Sequence, residues 1–217
     1  TITEKLEPEV LTKLITNYLT AMTEIAIEYG GTVDKYIGDA IMIFFGDPKS
    51  NGKKNDAIAC VSMALKMKKA LTSLRKSWKL TGLSESLNVR MGIHTDVCTV
   101  GNFGSLDRLD YTVLGNGVNL ASRLESLANS NEILISENTY NLVKKDIDCN
   151  YFDELKVKGK SHSIKTFQVV RNKNKKTKKT KIETSKDGFK LKIDKEKIKN
   201  IDEVVSFLED SIEKLVN

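Results

Sequence analysis

Asp39 follows Gly38 between two strand-like runs, Asn119 and Arg123 stand four residues apart, and Lys35, Thr112 and Lys158 add further polar side chains. A carboxylate holds cations, a guanidinium beside an amide holds anions through several directed donors, and lysine adds positive charge. Taken singly, each residue has an ordinary structural reading. Gly-Asp is common turn chemistry, residues i and i+4 share a helix face and suit a surface pair, and an isolated lysine is usually solvated.

The elements around these residues follow from periodicity. Pro8 suits the first turn of a helix, and Leu11, Leu14, Tyr18, Met22, Ile25 and Tyr29 recur at helical spacing before Gly30 and Gly31 stop it. Residues 32–37 and 40–45 predict a hairpin with Asp39 at its tip. Val61, Ala64, Met67, Leu71, Leu74 and Trp78 mark a second long helix on a lysine-rich surface. Strands are expected at 87–93, 98–102, 111–114, 132–135 and 166–170, with a third helix at 118–128 and a short one at 138–144. The pattern is mixed α+β.

The chain has 217 residues, 40% hydrophobic and 29% charged, which excludes collagen-like, fully disordered and membrane-embedded classes. Its net charge of +6 is local. The segment from Arg171 to Lys181 holds seven basic residues and no acid; without it, 28 bases face 29 acids. The basic pI therefore does not argue for nucleic-acid or membrane binding by the body of the protein, and no aromatic residues are interleaved with the lysines for base stacking. Cys60, Cys98 and Cys149 form neither a CxxC pair nor a zinc set, so a reducing, cytoplasmic compartment is expected. No apolar run is long enough to span a bilayer, and no membrane contact within the chain is expected. A domain over 1–170, a flexible basic linker over 171–188 and a C-terminal amphipathic helical segment over 189–217 are the expected divisions. In the last of these, Ile201, Val204, Leu208, Ile212 and Leu215 share a face.

The combination of segments is far more specific than its parts. Val-Asp-Lys-Tyr-Ile-Gly-Asp-Ala at 33–40, Arg-Leu-Asp-Tyr-Thr-Val-Leu-Gly-Asn-Gly-Val-Asn-Leu-Ala-Ser-Arg-Leu-Glu at 108–125 and Val-Lys-Gly-Lys at 157–160 occur in this order. With Arg-Met-Gly-Ile-His-Thr at 90–95 and Val-Gly-Asn at 100–102, they resemble the catalytic domain of class III nucleotidyl cyclases, from residue 1 to about 170.

The resemblance implies a ferredoxin-like cyclase fold, an antiparallel-rich mixed sheet flanked by helices. It implies conversion of a purine nucleoside triphosphate into a 3′,5′-cyclic monophosphate and pyrophosphate, with two Mg²⁺ or Mn²⁺ ions per complete site. Asp39 matches one metal aspartate. The other belongs on a strand about half a dozen residues before Thr1, so a chain lacking its first strand, and inactive for that reason alone, is expected. Asn119 and Arg123 match the pair that orients the ribose and stabilises charge on the α-phosphate. Lys158 matches the lysine that binds the terminal phosphates. Lys35 and Thr112 match the base-reading positions, and their types favour adenine and hence ATP, whereas glutamate and cysteine there mark guanine. The family's site lies between two protomers, so a homodimer, or a heterodimer with a related domain, is implied. Asp96 and Asn116 depart from the pattern, and altered loop geometry is expected there. His94 is expected to be a hydrogen-bonded structural residue. A guanylate cyclase, or a catalytically silent module that dimerises or senses nucleotide, are the competing expectations.

Overall fold

The computed structural model describes residues 6–80, 87–155, 163–173, 181–194, 198 and 201–216. The chain forms two compact units, Thr1–Lys173 and Asn174–Asn217.

The first unit begins with α1 (Pro8–Glu28), whose buried stripe is Leu14, Tyr18, Met22, Ile25 and Ala26. Gly30, at φ +79°, takes the left-handed conformation that ends this helix. Strands β1 (Thr32–Ile37) and β2 (Ala40–Phe44) then form an antiparallel hairpin, with Ile37 opposite Ala40 and Gly38-Asp39 as its two-residue loop. Gly38, at φ +63°, supplies the positive φ that such a loop needs in its first position. Helix α2 (Lys53–Leu80) packs Met63, Met67, Leu71 and Trp78 against α1 in one core cluster, which Val33, Ile41 and Ile43 of the hairpin complete.

Strand β3 (Met91–Ile93) pairs in parallel with β6 (Ile133–Ser136). Between them in sequence come the antiparallel hairpin β4 (Thr99–Ser105) and β5 (Arg108–Leu114), then α3 (Asn116–Leu127). After β6, helix α4 (Glu137–Val143) leads into β7 (Ile147–Leu155) and β8 (Ile164–Asn172). The resulting four-stranded sheet runs β3-β6-β8-β7. All four β6 residues are buried, and Ile133 and Ile135 join Val61, Val143, Ile147 and Val169 in a second cluster. Leu124 of α3 packs on Leu134 from the other face. A buried strand covered on both faces by helices accounts for the continuous apolar run Ile-Leu-Ile.

The α+β expectation holds, with three differences of detail. Only Met91–Ile93 of the run 87–93 is paired, because β6 begins opposite Met91. Strand β7 was not anticipated: register shifts at Asp148/Cys149 and Tyr151/Asp153 break the alternation by which a strand is recognised. The expected linker at 171–188 and helical segment at 189–217 are also revised. Strand β8 runs through Asn172, and β9 (Lys181–Lys186) pairs with β10 (Phe189–Asp194) across an Asp187-Gly188 turn with Gly188 at φ +77°. Asp-Gly is a hairpin signal, and the lysine density around it had suggested solvated coil. Helix α5 (Ile201–Val216) forms where the periodicity placed it.

The hairpin β1-β2 and the four-stranded sheet are separate among the described residues. Between them lies a cleft of about 1130 Å³, lined on one side by residues 40–46 and on the other by 87–98. Strand β2 pairs only with β1, and β3 only with β6, so each has a second edge without a strand partner among the described residues.

Helix α3 approaches β3 closely because position 92 lacks a side chain. A Cβ on Gly92 would lie 2.2 Å from both the Ala121 carbonyl oxygen and the Glu125 nitrogen. Gly92→Ala is therefore expected to destabilise the first unit by about 1–3 kcal/mol or more, seen as a lower urea midpoint. An unchanged midpoint would contradict this packing.

Candidate functional site

Lys35 and Thr112 lie on different hairpins, 77 residues apart in sequence, and one carboxylate brings them together. The register of β1 against β2 shifts between Val33 and Lys35, leaving Asp34 as the extra residue of a bulge. Bulges re-aim side chains, and here the Asp34 carboxyl is only 1% exposed. Its Oδ2 accepts a hydrogen bond from Thr112 Oγ1 at 2.7 Å and another from the Val113 backbone N–H at 3.2 Å. Its Oδ1 lies 3.4 Å from Lys35 Nζ, whose side chain remains 43% exposed. Thr112 itself is buried. Thus a half-exposed ammonium and a hydroxyl are gathered on one buried acid.

Three flanking contacts hold the surrounding elements. The Tyr111 hydroxyl donates to Asp47 Oδ1 in the loop after β2, and Thr32 Oγ1 donates to the Asp47 carbonyl at 2.6 Å. The Tyr36 hydroxyl and Thr23 Oγ1 share a hydrogen bond of 2.8 Å, which ties β1 to α1.

Asp39 is exposed at the hairpin loop and opens on the cleft. No described residue forms an ion pair or hydrogen bond with it. Tyr18, buried on α1, lines the same cleft; burial and, secondarily, the Asp39 charge push its phenol up to about 12. Asn119 also lines the cleft. Arg123 sits one turn further along α3 and is exposed, at the side of the stripe formed by buried Leu120 and Leu124. The neighbouring acid Glu125 is occupied by Arg90 at 3.0 Å, and Arg123 has no hydrogen-bond or ion-pair partner among the described residues. Lys35, Thr112 and Arg123 do not line the cleft. Lys158 lies outside the described residues.

The loop from His94 to Cys98 lines the cleft. His94 is buried, with Nδ1 2.7 Å from Ser136 Oγ and Nε2 3.4 Å from Asp96 Oδ2. It is the structural histidine that its sequence context suggested. Asp96 accepts from the Val97 N–H at 2.9 Å, which shapes the loop where the sequence departs from the usual pattern. Asp34 is the residue that periodicity missed. A carboxylate inside a strand is disfavoured, and that rarity, directly before Lys35, is the signal that points to it.

As to metal, the exposed and unpaired Asp39 carboxylate suits a divalent cation, which takes oxygen ligands. It is one ligand only: among the described residues no group of three or more His, Cys, Asp or Glu could hold a metal ion.

Comparison with known proteins places this arrangement. The model of the adenylate and guanylate cyclase catalytic domain matches residues 1–171, and the chain belongs to that family. An adenylate cyclase from Anabaena cylindrica is 33% identical over 181 residues, covering 77% of this chain and 34% of the relative. The chain thus spans about a third of that relative's length. The crystal structure of the adenylyl cyclase CyaB from P. aeruginosa superposes with a TM-score of 0.77 at 50% identity, covering 80% of this chain and 88% of that one. The guanylyl cyclase Cya2 superposes with a TM-score of 0.74 at 30% identity, covering 81% and 87%. The fold is that of the class III cyclase catalytic domain.

The three cysteines are free thiols. Burial pushes Cys60 up to about 12 and Cys149 up to about 11; burial and then Asp96 raise Cys98. Only the thiolate reacts, so at pH 8 only a very small fraction of Cys60 and of Cys149 is competent. Alkylation of the folded protein, followed by mass spectrometry, is expected to be slow at pH 8 and to speed up about tenfold per pH unit up to pH 10. Labelling of Cys60 at the rate of a free thiol at pH 8 would contradict the packing.

Proposed function

We propose that this domain is an adenylate cyclase, converting ATP into 3′,5′-cyclic AMP and pyrophosphate by attack of the ribose 3′-oxygen on the α-phosphorus. The observation that carries the choice of ATP is the corner at Asp34, where Lys35 and Thr112 stand together. An ammonium only donates, so Lys35 suits N1 of adenine, which accepts, and opposes N1 of guanine, which carries a proton.

The other residues take roles consistent with their placement. Arg123, without a hydrogen-bond or ion-pair partner among the described residues, neutralises charge that develops on the α-phosphate as the bond to the leaving pyrophosphate breaks. Asn119, one turn before it, orients the ribose, and Lys158 is assigned to the terminal phosphates. Asp39 would hold Mg²⁺ or Mn²⁺, two ions in the complete site, which when bound lower the pKa of the attacking hydroxyl and offset triphosphate charge. A second carboxylate is needed for two ions. We assign it to a strand seated in the cleft, where the spare edges of β2 and β3 would accept it from both sides.

The site is read as shared by two copies of the domain. Asp39 opens on the cleft, whereas Lys35, Thr112 and Arg123 lie off it. Strands β1 and β5 carry Tyr36, Ile37, Leu109, Tyr111 and Leu114, all about half exposed or more. Exposed apolar side chains on two neighbouring strands suit an interaction face, and a homodimer, or pairing with a related cyclase domain, would cover it. A cytoplasmic setting agrees with the free thiols. Among the described residues no helix is long and apolar enough to cross a membrane.

Guanylate cyclase activity is the second reading, favoured by the likeness to Cya2. A silent dimerising or nucleotide-sensing module is the third, favoured by the absence, among the described residues, of a group of three or more side chains able to hold a metal ion. Cyclic nucleotide formation from ATP and GTP, with Mg²⁺ or Mn²⁺, in a chain extended through the preceding strand, separates the three. ATP is expected to be the preferred substrate, and Arg123→Ala to lower kcat about 10²- to 10³-fold. Preference for GTP would establish the second reading. Absence of product from either, with the strand and its carboxylate present, would establish the third.

A further inference from the structure

Two residues, Lys35 and Thr112, could read the purine, and Asp34 stands behind both. We propose that Asp34 is a specificity-determining positioning residue: by taking the Thr112 hydroxyl proton it leaves Thr112 Oγ1 able only to accept, which selects a purine with an amino group at C6 over one with an oxo group. This rests on the cyclase reading above and names what sets its base choice.

A threonine hydroxyl alone does not discriminate, since it has one proton to donate and lone pairs that accept. Its rotor would serve the C6 amine of adenine or the C6 oxygen of guanine equally well. Asp34 removes that freedom. Its Oδ2 receives the Thr112 hydroxyl at 2.7 Å and the Val113 N–H at 3.2 Å, so that oxygen faces two donors and has no proton of its own to offer. The Thr112 proton is thereby committed, and only lone pairs face a ligand. The carboxyl is 1% exposed, so water does not compete for the bond. The other oxygen, Oδ1, is buried without a hydrogen bond and lies 3.4 Å from Lys35 Nζ. It anchors the ammonium electrostatically while leaving its protons free for a ring nitrogen. One buried acid thus sets the polarity of one reader and the position of the other, and the bulge at Asp34 is what turns it inward.

A brace with no part in selection would make a different prediction. If Asp34 merely fastens β1 to β5, its loss weakens folding and depresses ATP and GTP alike. The test is the ratio of kcat/KM for ATP to that for GTP in wild type, Asp34→Ala, Asp34→Asn, Thr112→Val and the Asp34→Ala/Thr112→Val double variant, in the chain extended through the preceding strand. Displacement of a fluorescent adenine nucleotide by ATP and by GTP supplies the same ratio without turnover. Asp34→Ala is expected to lower the ratio about 5- to 100-fold, mainly through KM for ATP. The double variant should lose less than the product of the two single losses. In Asp34→Asn the Val113 N–H draws the amide oxygen into the Oδ2 position, where it still takes the Thr112 proton while the amide protons face Lys35, so the ratio is expected to fall less than in Asp34→Ala; Asp34→Leu, of similar size and with no acceptor, serves if Asp34→Ala fails to fold. A ratio within twofold of wild type in folded Asp34→Ala or Asp34→Leu, or single losses that multiply in the double, would overturn the inference. If wild type forms no cyclic product yet binds ATP over GTP and loses that preference with Asp34, the enzymatic reading fails and this one stands. If it forms no product and binds neither purine, both fail.

Discussion

The buried Asp34 carboxylate is the joint on which the rest of the candidate site depends. The hairpins β1-β2 and β4-β5 belong to separate sheets, and Asp34 bridges them by accepting from Thr112 and Val113 while facing Lys35. A buried acid without donors would cost about 1–3 kcal/mol for each lost partner, so the two hairpins and the acid specify one another. The Tyr111 hydroxyl, bonded to Asp47, adds a second fastening on the neighbouring residue. Strand β5 is therefore held by two successive side chains to the open end of the first hairpin, away from its Gly38-Asp39 loop.

The second constraint is the cleft. The helices α1 and α2 hold the first hairpin through one hydrophobic cluster, and α2 and α4 hold the four-stranded sheet through another. Helix α2 contributes to both, which keeps the unpaired edges of β2 and β3 facing the same space. Asp39 and Asn119 open on that space, and the reading side chains do not. In the mechanism proposed, the cation-holding group comes from one copy and the base-reading groups from another. Two identical faces can meet about a twofold axis, and each then supplies what the other lacks.

Much of this was legible in the sequence because the helices are long and strongly periodic. The stripe Leu14, Tyr18, Met22, Ile25 and the Gly30-Gly31 stop delimit α1 without help from tertiary structure, and Gly38-Asp39 marks the hairpin. Strand β7 was illegible because two register shifts scramble the alternation of Ile147–Leu155. The β9-β10 hairpin was obscured by lysines, although Asp187-Gly188 carries its own turn chemistry. The inward aim of Asp34 has no periodic signature at all, since a bulge is a property of pairing and not of composition. Motif order therefore pointed to Lys35 and Thr112, while the side chain that joins them came from the structure alone.

The central claim is that acid and base-reading groups from two copies complete one site, and mixing inactive chains tests it most directly. Asp39→Ala and Arg123→Ala chains, each extended through the preceding strand and each inactive alone, would be combined and assayed for cyclic AMP. Half of randomly formed dimers are mixed and each carries one intact site of two, so the account predicts recovery of about a quarter of wild-type activity. Mixed dimers that form yet yield no product would contradict it.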